Sequence, residues 1–244
     1  MYKDFLDEYV QLGHMSLTTV DHAQPHYYIP HHCVVRPESL TTKLRVVYDA
    51  SSKTLSGQSL NDLLLVGPTI QQNLILTLLS FRLNKFALTA DVTKMFRQFM
   101  VDERDRCYQL ILWRDDQSSG FQTFCLNTIT YGLASSPFQA VRCLFHIADL
   151  HQNQFSVAAN ILKQDFYVYD MLTGADTIEE LQRIKSEITS LLKSAGLSLS
   201  KWNSNHTSLQ GEANSEIKLD LDQDNFAKAL GNIWNRIWKS ARLL

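Results

Sequence analysis

The feature that most constrains this chain is one short segment, residues 164–174, with the sequence QDFYVYDMLTG. Aromatic and β-branched residues lead to the polar pair Tyr169 and Asp170, an apolar pair follows, and Gly174 closes the segment. This order predicts a β-hairpin with Tyr169 and Asp170 at its tip. Such a hairpin aims a carboxylate outward on a rigid support, although an ordinary hairpin with an acidic turn has the same pattern.

A second acidic strand end lies upstream of the hairpin. Residues 86–91 (FALTAD) predict an apolar strand that ends at Asp91, and residues 92–99 predict a tight turn into a short helix. Two interpretations of Asp91 stay open, since an acid in this position can also cap the helix that follows. A second acid at a strand end favours a functional role for the acidic hairpin over an ordinary acidic turn.

Composition sets the size of the core and the electrostatics. The chain has 244 residues, of which 45% are hydrophobic and 20% charged, so it can bury a core as one large domain or two small subdomains. The formal net charge of -2 gives no general attraction to nucleic acid. Any contact with nucleic acid therefore requires a local basic surface.

The cysteines and the apolar stretches indicate the compartment. Cys33, Cys107, Cys125 and Cys143 form no C-x-x-C pair, so the sequence predicts neither a zinc site nor a disulfide framework. The N-terminus has no apolar signal core, and no stretch approaches the ~20 apolar residues of a membrane span. We expect an intracellular, cytoplasmic protein that makes no membrane contact.

Two further segments carry groups suited to anions. Residues 43–51 (KLRVVYDAS) predict a strand with Lys43 and Arg45 on one face, where they could bind a polyphosphate or simply be solvated charges on an outer strand. Residues 131–138 (YGLASSPF) predict a turn and then a long helix through residue 150, whose N-terminus favours anions.

Residues 177–192 predict an amphipathic helix with a Thr cap.

Two clusters raise the alternative of a metal-binding or calcium-binding protein. His31, His32 and Cys33 are consecutive, so on a strand they would alternate between faces and could not all bind one ion. The alternating acids of residues 220–224 resemble a calcium loop. Asn225 and Gly231 stand where that loop requires Gly and Glu, which excludes it.

The order of the motifs resembles the reverse transcriptase domain of Pao/BEL-type LTR retrotransposons over roughly residues 9–234. Each motif alone is a weak signal, whereas the whole set in this order is specific. The similar segments are residues 9–15 (YVQLGHM), 28–35 (YIPHHCVV), 44–51 (LRVVYDAS), 59–62 (SLND), 67–68 (GP), 89–96 (TADVTKMF), 131–137 (YGLASSP), 165–170 (DFYVYD), 199–202 (LSKW) and 230–231 (LG).

The resemblance implies a fold, an activity and partners. The fold class is α+β, a right-hand polymerase fold with an antiparallel palm sheet: residues 1–85 form the N-terminal segment and fingers, residues 86–244 the palm, with residues 107–130 part of the fingers. The activity is RNA-directed DNA polymerisation on an RNA/DNA primer-template with dNTPs. Because the chain ends just after the 230–231 motif, we expect a thumb that is largely missing and a fragment or decayed copy of a larger polyprotein.

The resemblance also assigns roles to individual residues. Asp91 and Asp170 match aspartates that bind two Mg²⁺ ions, which activate the primer 3′-oxygen and brace the triphosphate. Lys43 and Arg45 match cations that contact the phosphates and base of the incoming nucleotide, and Phe96 matches an aromatic residue that excludes a ribose 2′-OH. Tyr131 and Gly132 match a loop that supports the nucleotide and template. Lys201 lies near a lysine that protonates the leaving pyrophosphate.

One position departs from the family pattern. The hairpin tip is normally Tyr-x-Asp-Asp, but residues 167–170 read YVYD, so Tyr169 stands where the first tip aspartate is expected. Asp165 lies four residues away, about 13 Å along a strand, and cannot substitute. A phenol with a pKa of ~10 is neutral at pH 7. We therefore expect a rate lower by roughly a thousandfold or more, and the alternative is a non-catalytic co-opted module or remnant.

Overall fold

The computed structural model describes residues 1–37, 43–209, 226–229, 232–235 and 241–242. The acidic run at residues 220–224 and the motif at Leu230 and Gly231 lie outside these residues. The chain divides into two compact units. Unit 1 comprises Met1–Pro68 and Phe96–Ala140, and unit 2 comprises Thr69–Met95 and Val141–Leu244. The predicted division into fingers and palm at residue 85 stays a prediction.

The described residues form six α-helices and twelve strands. The α-helices are α1 (Tyr2–Gln11), α2 (Leu60–Leu63), α3 (Leu74–Leu83), α4 (Ser136–His151), α5 (Ser156–Gln164) and α6 (Ile178–Ser194). The strands are β1 (Met15–Leu17), β2 (His31–Val35), β3 (Leu44–Tyr48), β4 (Phe86–Val92), β5 (Leu110–Trp113), β6 (Gln122–Leu126), β7 (Phe166–Tyr167), β8 (Asp170–Ala175), β9 (Leu199–Ser204), β10 (Phe226–Ala229), β11 (Asn232–Asn235) and β12 (Ala241–Arg242). Short 3₁₀ helices occupy Met95–Gln98, Arg106–Tyr108 and Thr207–Leu209.

Unit 1 contains a β2–β3 hairpin and a sheet with the order β1-β6-β5. Strand β3 alternates buried and more exposed residues, because its even-numbered side chains face the core and Arg45 faces outward. These strands share a core with α1 and α2. The buried members of the core are Leu6, Tyr9, Met15, Ile29, Val46, Tyr48, Ala50, Leu60, Ile111, Leu126 and Leu133.

Unit 2 contains a four-stranded antiparallel sheet with the order β7-β8-β4-β9. The elements β4, α5, β7, β8, α6 and β9 have the β-α-β-β-α-β order of ferredoxin-like folds, with β5, β6 and α4 inserted between β4 and α5. The two central strands are therefore β4 and β8, and β7 and β9 lie at the edges. This arrangement brings the end of β4 beside the start of β8, although about 80 residues separate them in sequence.

Helix α6 covers the sheet and supports α5. Its apolar residues recur every three to four positions and are buried, so each contributes roughly 1.5–3 kcal/mol to stability. The Thr177 hydroxyl accepts a hydrogen bond from the Glu180 amide, which confirms the predicted cap. Glu187 of α6 accepts hydrogen bonds from the amides of Val157 and Ala158 at 3.0 and 3.1 Å. A side chain of α6 thus caps α5, whose own N-cap residue makes no side-chain bond.

The structure confirms a mixed α+β fold with antiparallel sheets. The predicted strand before Asp91, the short helix after it and the long helix from Ser136 are all present. Among the residues that the structure describes, no helix has both the length and the apolar character needed to cross a membrane.

Candidate active site in the sheet of unit 2

Two carboxylates lie side by side on the central strands of the unit 2 sheet. Asp91 near the end of β4 is the cross-strand partner of Asp170 at the start of β8. On the outer sides, Tyr167 of β7 pairs with Asp170, and Ser200 of β9 pairs with Asp91. Residues directly opposite each other in a sheet share a face, so these four side chains form one row across it. We call this row and Lys201 the carboxylate site.

The hairpin that carries Asp170 differs slightly from its predicted form. The pairing of Tyr167 with Asp170 leaves Val168 and Tyr169 as a two-residue loop, so Asp170 is the first residue of β8 and not part of the tip. Val168 has a φ of 57°, a left-handed conformation that β-branched residues rarely adopt. The loop is held in place by two hydrogen bonds, from the Val168 amide to Gln71 Oε1 at 3.2 Å and from the Val92 amide to the Tyr169 carbonyl at 2.9 Å.

Lys201 reaches Asp91 from a bulge in β9. Thr89 pairs with Asn203 and Asp91 with Ser200, so Ala90 alone faces two residues of β9. Within this bulge Lys201 adopts a φ of 53°, and the side-chain Nδ2 of Asn203 donates a hydrogen bond to the Lys201 carbonyl at 2.8 Å. The Lys201 ammonium lies 3.1 Å from Asp91 Oδ2. The resemblance implied a different role for Lys201, and nothing in the local sequence indicates a bulge or this ion pair.

Backbone strain is concentrated around the carboxylate site. Among the described residues, the non-glycine positions with positive φ are Lys94, Val168 and Lys201. Val168 and Lys201 directly follow Tyr167 and Ser200 of the paired row, and Lys94 lies in the turn after β4. Such conformations persist where the surrounding structure holds them, and they are frequent at functional sites.

The electrostatics of the site follow from its geometry. The pKa of Asp170 is raised from 3.8 to about 6: partial burial is the largest cause, the negative charge of Asp91 adds to it, and Lys201 partly opposes the rise. Asp165, the other acid of the hairpin segment, lies at the end of α5, away from the tip. Burial raises the pKa of Asp165, and its Oδ2 accepts a hydrogen bond from the Thr173 hydroxyl at 2.6 Å. Asp165 is therefore a structural acid.

The residues of the carboxylate site do not fit a pair of Mg²⁺ ions. Such a pair needs several carboxylate oxygens, with each ion about 2.0–2.1 Å from its ligands. Here one Asp91 oxygen forms an ion pair with the Lys201 ammonium, and the side chain at position 169 is the phenol of Tyr169, which is 42% exposed. Among the described residues, no three His, Cys, Asp or Glu side chains are grouped so that they could hold a metal ion.

The first His of the cluster near the N-terminus has a structural role. One ring nitrogen of His31 accepts from the Tyr2 hydroxyl, and the other donates to the Leu112 carbonyl at 3.0 Å. Burial lowers the pKa of His31, which favours the neutral ring. With both nitrogens bonded, His31 has no lone pair left for a metal ion.

The other predicted site residues belong to unit 1. Lys43 and Arg45 are both exposed, and Arg45 lies within β3 opposite Val34. The Tyr131 ring contacts the ring of Tyr48, with 5.4 Å between centroids and a tilt of 55° between the ring planes. Phe96 is partly buried in the 3₁₀ helix Met95–Gln98.

Gly132 follows Tyr131 in a tightly held turn. It has a φ of 98°, and a side chain there would overlap the carbonyl oxygen of Tyr48. Asn61 holds the turn through both atoms of its amide: Nδ2 donates to the Gly132 carbonyl at 3.0 Å, and Oδ1 accepts from the Ala134 amide at 2.8 Å. The SLND motif thus supports the turn that contains Gly132, while its Ser59 and Asp62 form the capping box of α2.

Comparison with known proteins bears on the fold. No protein-family model matches the chain, and no curated protein matches it. The structure is similar to the crystal structure of prototype foamy virus protease-reverse transcriptase, with a TM-score of 0.57 and 16% sequence identity. The match covers 80% of this chain and 22% of that chain. At this identity the likeness concerns the fold alone, and it establishes that the chain has a reverse-transcriptase-like fold.

Proposed function

We propose that this chain is the RNA-directed DNA polymerase domain of a Pao/BEL-type LTR retrotransposon and that nucleotide addition is impaired in this copy. The observation that carries the proposal is the cross-strand pairing of Asp91 with Asp170 on the central strands of a reverse-transcriptase-like fold. These are the two acids that the sequence motifs single out independently. Strand ends in the middle of a rigid sheet hold catalytic groups more precisely than loops do.

The impairment follows from the residue at the hairpin tip. Tyr169 offers a neutral phenol where a carboxylate is expected, and the pairing of Asp91 with Lys201 reduces the negative charge that remains. Loss of one strong ligand costs several kcal/mol of transition-state stabilisation, which lowers the rate by roughly a thousandfold. Asp170 alone cannot compensate, because its raised pKa keeps part of its population protonated near pH 6.

The proposal extends to the substrates and to the unit 1 residues. Lys43 and Arg45 would bind the phosphates of a dNTP as exposed cations, which suits an anion that arrives from solvent. Phe96 would contact the sugar, and the turn of Tyr131 and Gly132 would lie under the nucleotide and template. The partners would be an RNA/DNA primer-template and dNTPs in the cytoplasm.

A second candidate function rests on Tyr169 and on the ion pair of Asp91. A chain in which Lys201 is paired with Asp91 can still bind primer-template without extending it. Such a module would bind nucleic acid through cation–phosphate contacts, and its affinity would fall steeply with added salt.

The experiment is primer extension on an RNA template with Mg²⁺ or Mn²⁺, comparing the wild-type chain with Tyr169→Asp. We expect Tyr169→Asp to raise the extension rate by about a hundredfold or more, because it restores a carboxylate at an exposed position. Tyr108→Asp is the matched control, since Tyr108 is 36% exposed in unit 1 and the substitution adds the same charge. Asp91→Asn in the Tyr169→Asp background should abolish the gain.

The outcomes separate the candidates. A wild-type chain that extends primers at a normal rate, with no gain from Tyr169→Asp, contradicts the impairment. Salt-dependent primer-template binding without extension in any variant favours the non-catalytic module, and absence of both binding and extension contradicts both functions.

A further inference from the structure

The row across the unit 2 sheet contains an electrostatic conflict that the fold has to resolve. Asp91 and Asp170 are directly opposed on neighbouring strands, and like charges in this position repel. The Asp91 side chain is only 18% exposed, so water screens the repulsion incompletely. A cation beside the pair would offset this repulsion and stabilise the ionised form of both carboxylates.

The chain supplies this cation itself. The Lys201 ammonium lies 3.1 Å from Asp91 Oδ2, within range of a charged hydrogen bond. A regular strand would not place it there: Ser200 is the residue paired with Asp91, and Lys201 is redirected by the bulge. The left-handed backbone of Lys201 and the hydrogen bond from Asn203 to its carbonyl hold this geometry.

The ammonium and a divalent ion would compete for the same oxygen. Mg²⁺ and Mn²⁺ bind carboxylate oxygens at about 2.1 Å, and a second positive charge about 3 Å from that oxygen would repel the ion. The Lys201 side chain is 69% exposed, and its attraction to Asp91 holds the ammonium beside this oxygen.

We propose that Lys201 is the resident counter-ion of the Asp91–Asp170 pair and excludes divalent metal ions from the carboxylate site of the wild-type chain. The inference deepens the proposed function, because it rests on Asp91 and Asp170 being the acids that would bind metal. It adds that the loss of metal affinity has two causes, the phenol at position 169 and the competing ammonium of Lys201.

The test measures Mn²⁺ binding to the whole chain by the loss of the free-ion signal in electron paramagnetic resonance. Lys201→Met should lower the dissociation constant for Mn²⁺ by at least about tenfold, since it removes a unit charge next to the ligand oxygen. Lys193→Met is the matched control, because Lys193 is exposed in the last turn of α6 and the change in net charge is identical. Asp91→Asn in the Lys201→Met background should return the affinity to the wild-type value.

Lys201→Gln provides a second variant with a polar side chain of similar length, and circular dichroism identifies which variants fold. An unchanged or weaker Mn²⁺ affinity in a folded Lys201 variant overturns the proposal, as does an equal gain in Lys193→Met. The readout is ion binding, so it is independent of primer extension. A chain that extends primers after Tyr169→Asp but shows no Lys201 effect would retain the proposed function and lose this inference.

Discussion

Asp170→Asn should stabilise unit 2 at neutral pH, although it removes a charged group from the candidate site. A carboxyl whose pKa is raised in the folded chain is ionised less readily there than in the unfolded chain. Ionisation therefore favours unfolding, and the penalty grows as the pH rises from 3.8 towards about 6. An asparagine has nearly the same shape and no charge, so it removes both the cost of burying the carboxylate and its repulsion from Asp91.

The magnitude follows from the pKa. A rise from 3.8 to about 6 corresponds to about 3 kcal/mol at pH 7, at about 1.4 kcal/mol for each pKa unit. Because Asp170 is only partly buried and solvent screens its interactions, we reduce this to about 1–2 kcal/mol. The gain should fall below about 0.5 kcal/mol at pH 4, where the carboxyl is largely protonated in the folded chain.

The assay is amide hydrogen exchange, read by mass spectrometry on peptides that cover β4 and β8. It gives the opening free energy of this sheet even if the two units unfold separately. Glu179→Gln is the control, since Glu179 is exposed in the first turn of α6 and its loss should cost a few tenths of a kcal/mol at most. A lower opening free energy in Asp170→Asn at pH 7, or an equal gain at pH 4 and pH 7, would refute the electrostatic reasoning.

Two further substitutions test the packing around the site elements. Gly132→Ala should destabilise unit 1 by about 3 kcal/mol or more in urea unfolding, because the added Cβ would overlap the Tyr48 carbonyl. Gly13→Ala is the control: Gly13 also has a positive φ but lies in open space, so the substitution should cost only about 1 kcal/mol. Glu187→Ala should reduce the protection of the first turn of α5 against hydrogen exchange by about 1–2 kcal/mol, because two amides lose their acceptor. Gln182→Ala is the control: Gln182 lies on the exposed face of α6, and its substitution should have little effect. Equal effects of either substitution and its control would contradict the assigned contact.

Much of the local structure could be predicted from the sequence, because local rules of sterics and burial decide it. The spacing of apolar residues in α6 fixes its buried face, and Thr177 marks its start. The alternation in β3 fixes the outward position of Arg45. The hairpin at Asp170 was predicted to within one residue, and the error at its tip arose because Val168 adopts a conformation that is rare for a β-branched residue.

The sequence by itself determined that Asp91 lies near the end of an apolar strand, that Asp170 belongs to a hairpin and that a tyrosine occupies position 169, since these facts depend only on residue type and local pattern. The tertiary structure alone decided that Asp91 and Asp170 face each other, because the register of two strands about 80 residues apart depends on the packing of the whole sheet. It also decided that Lys201 lies on Asp91. A bulge in an edge strand moves one side chain without any local sequence signal, and here it places a positive charge on one of the two acids.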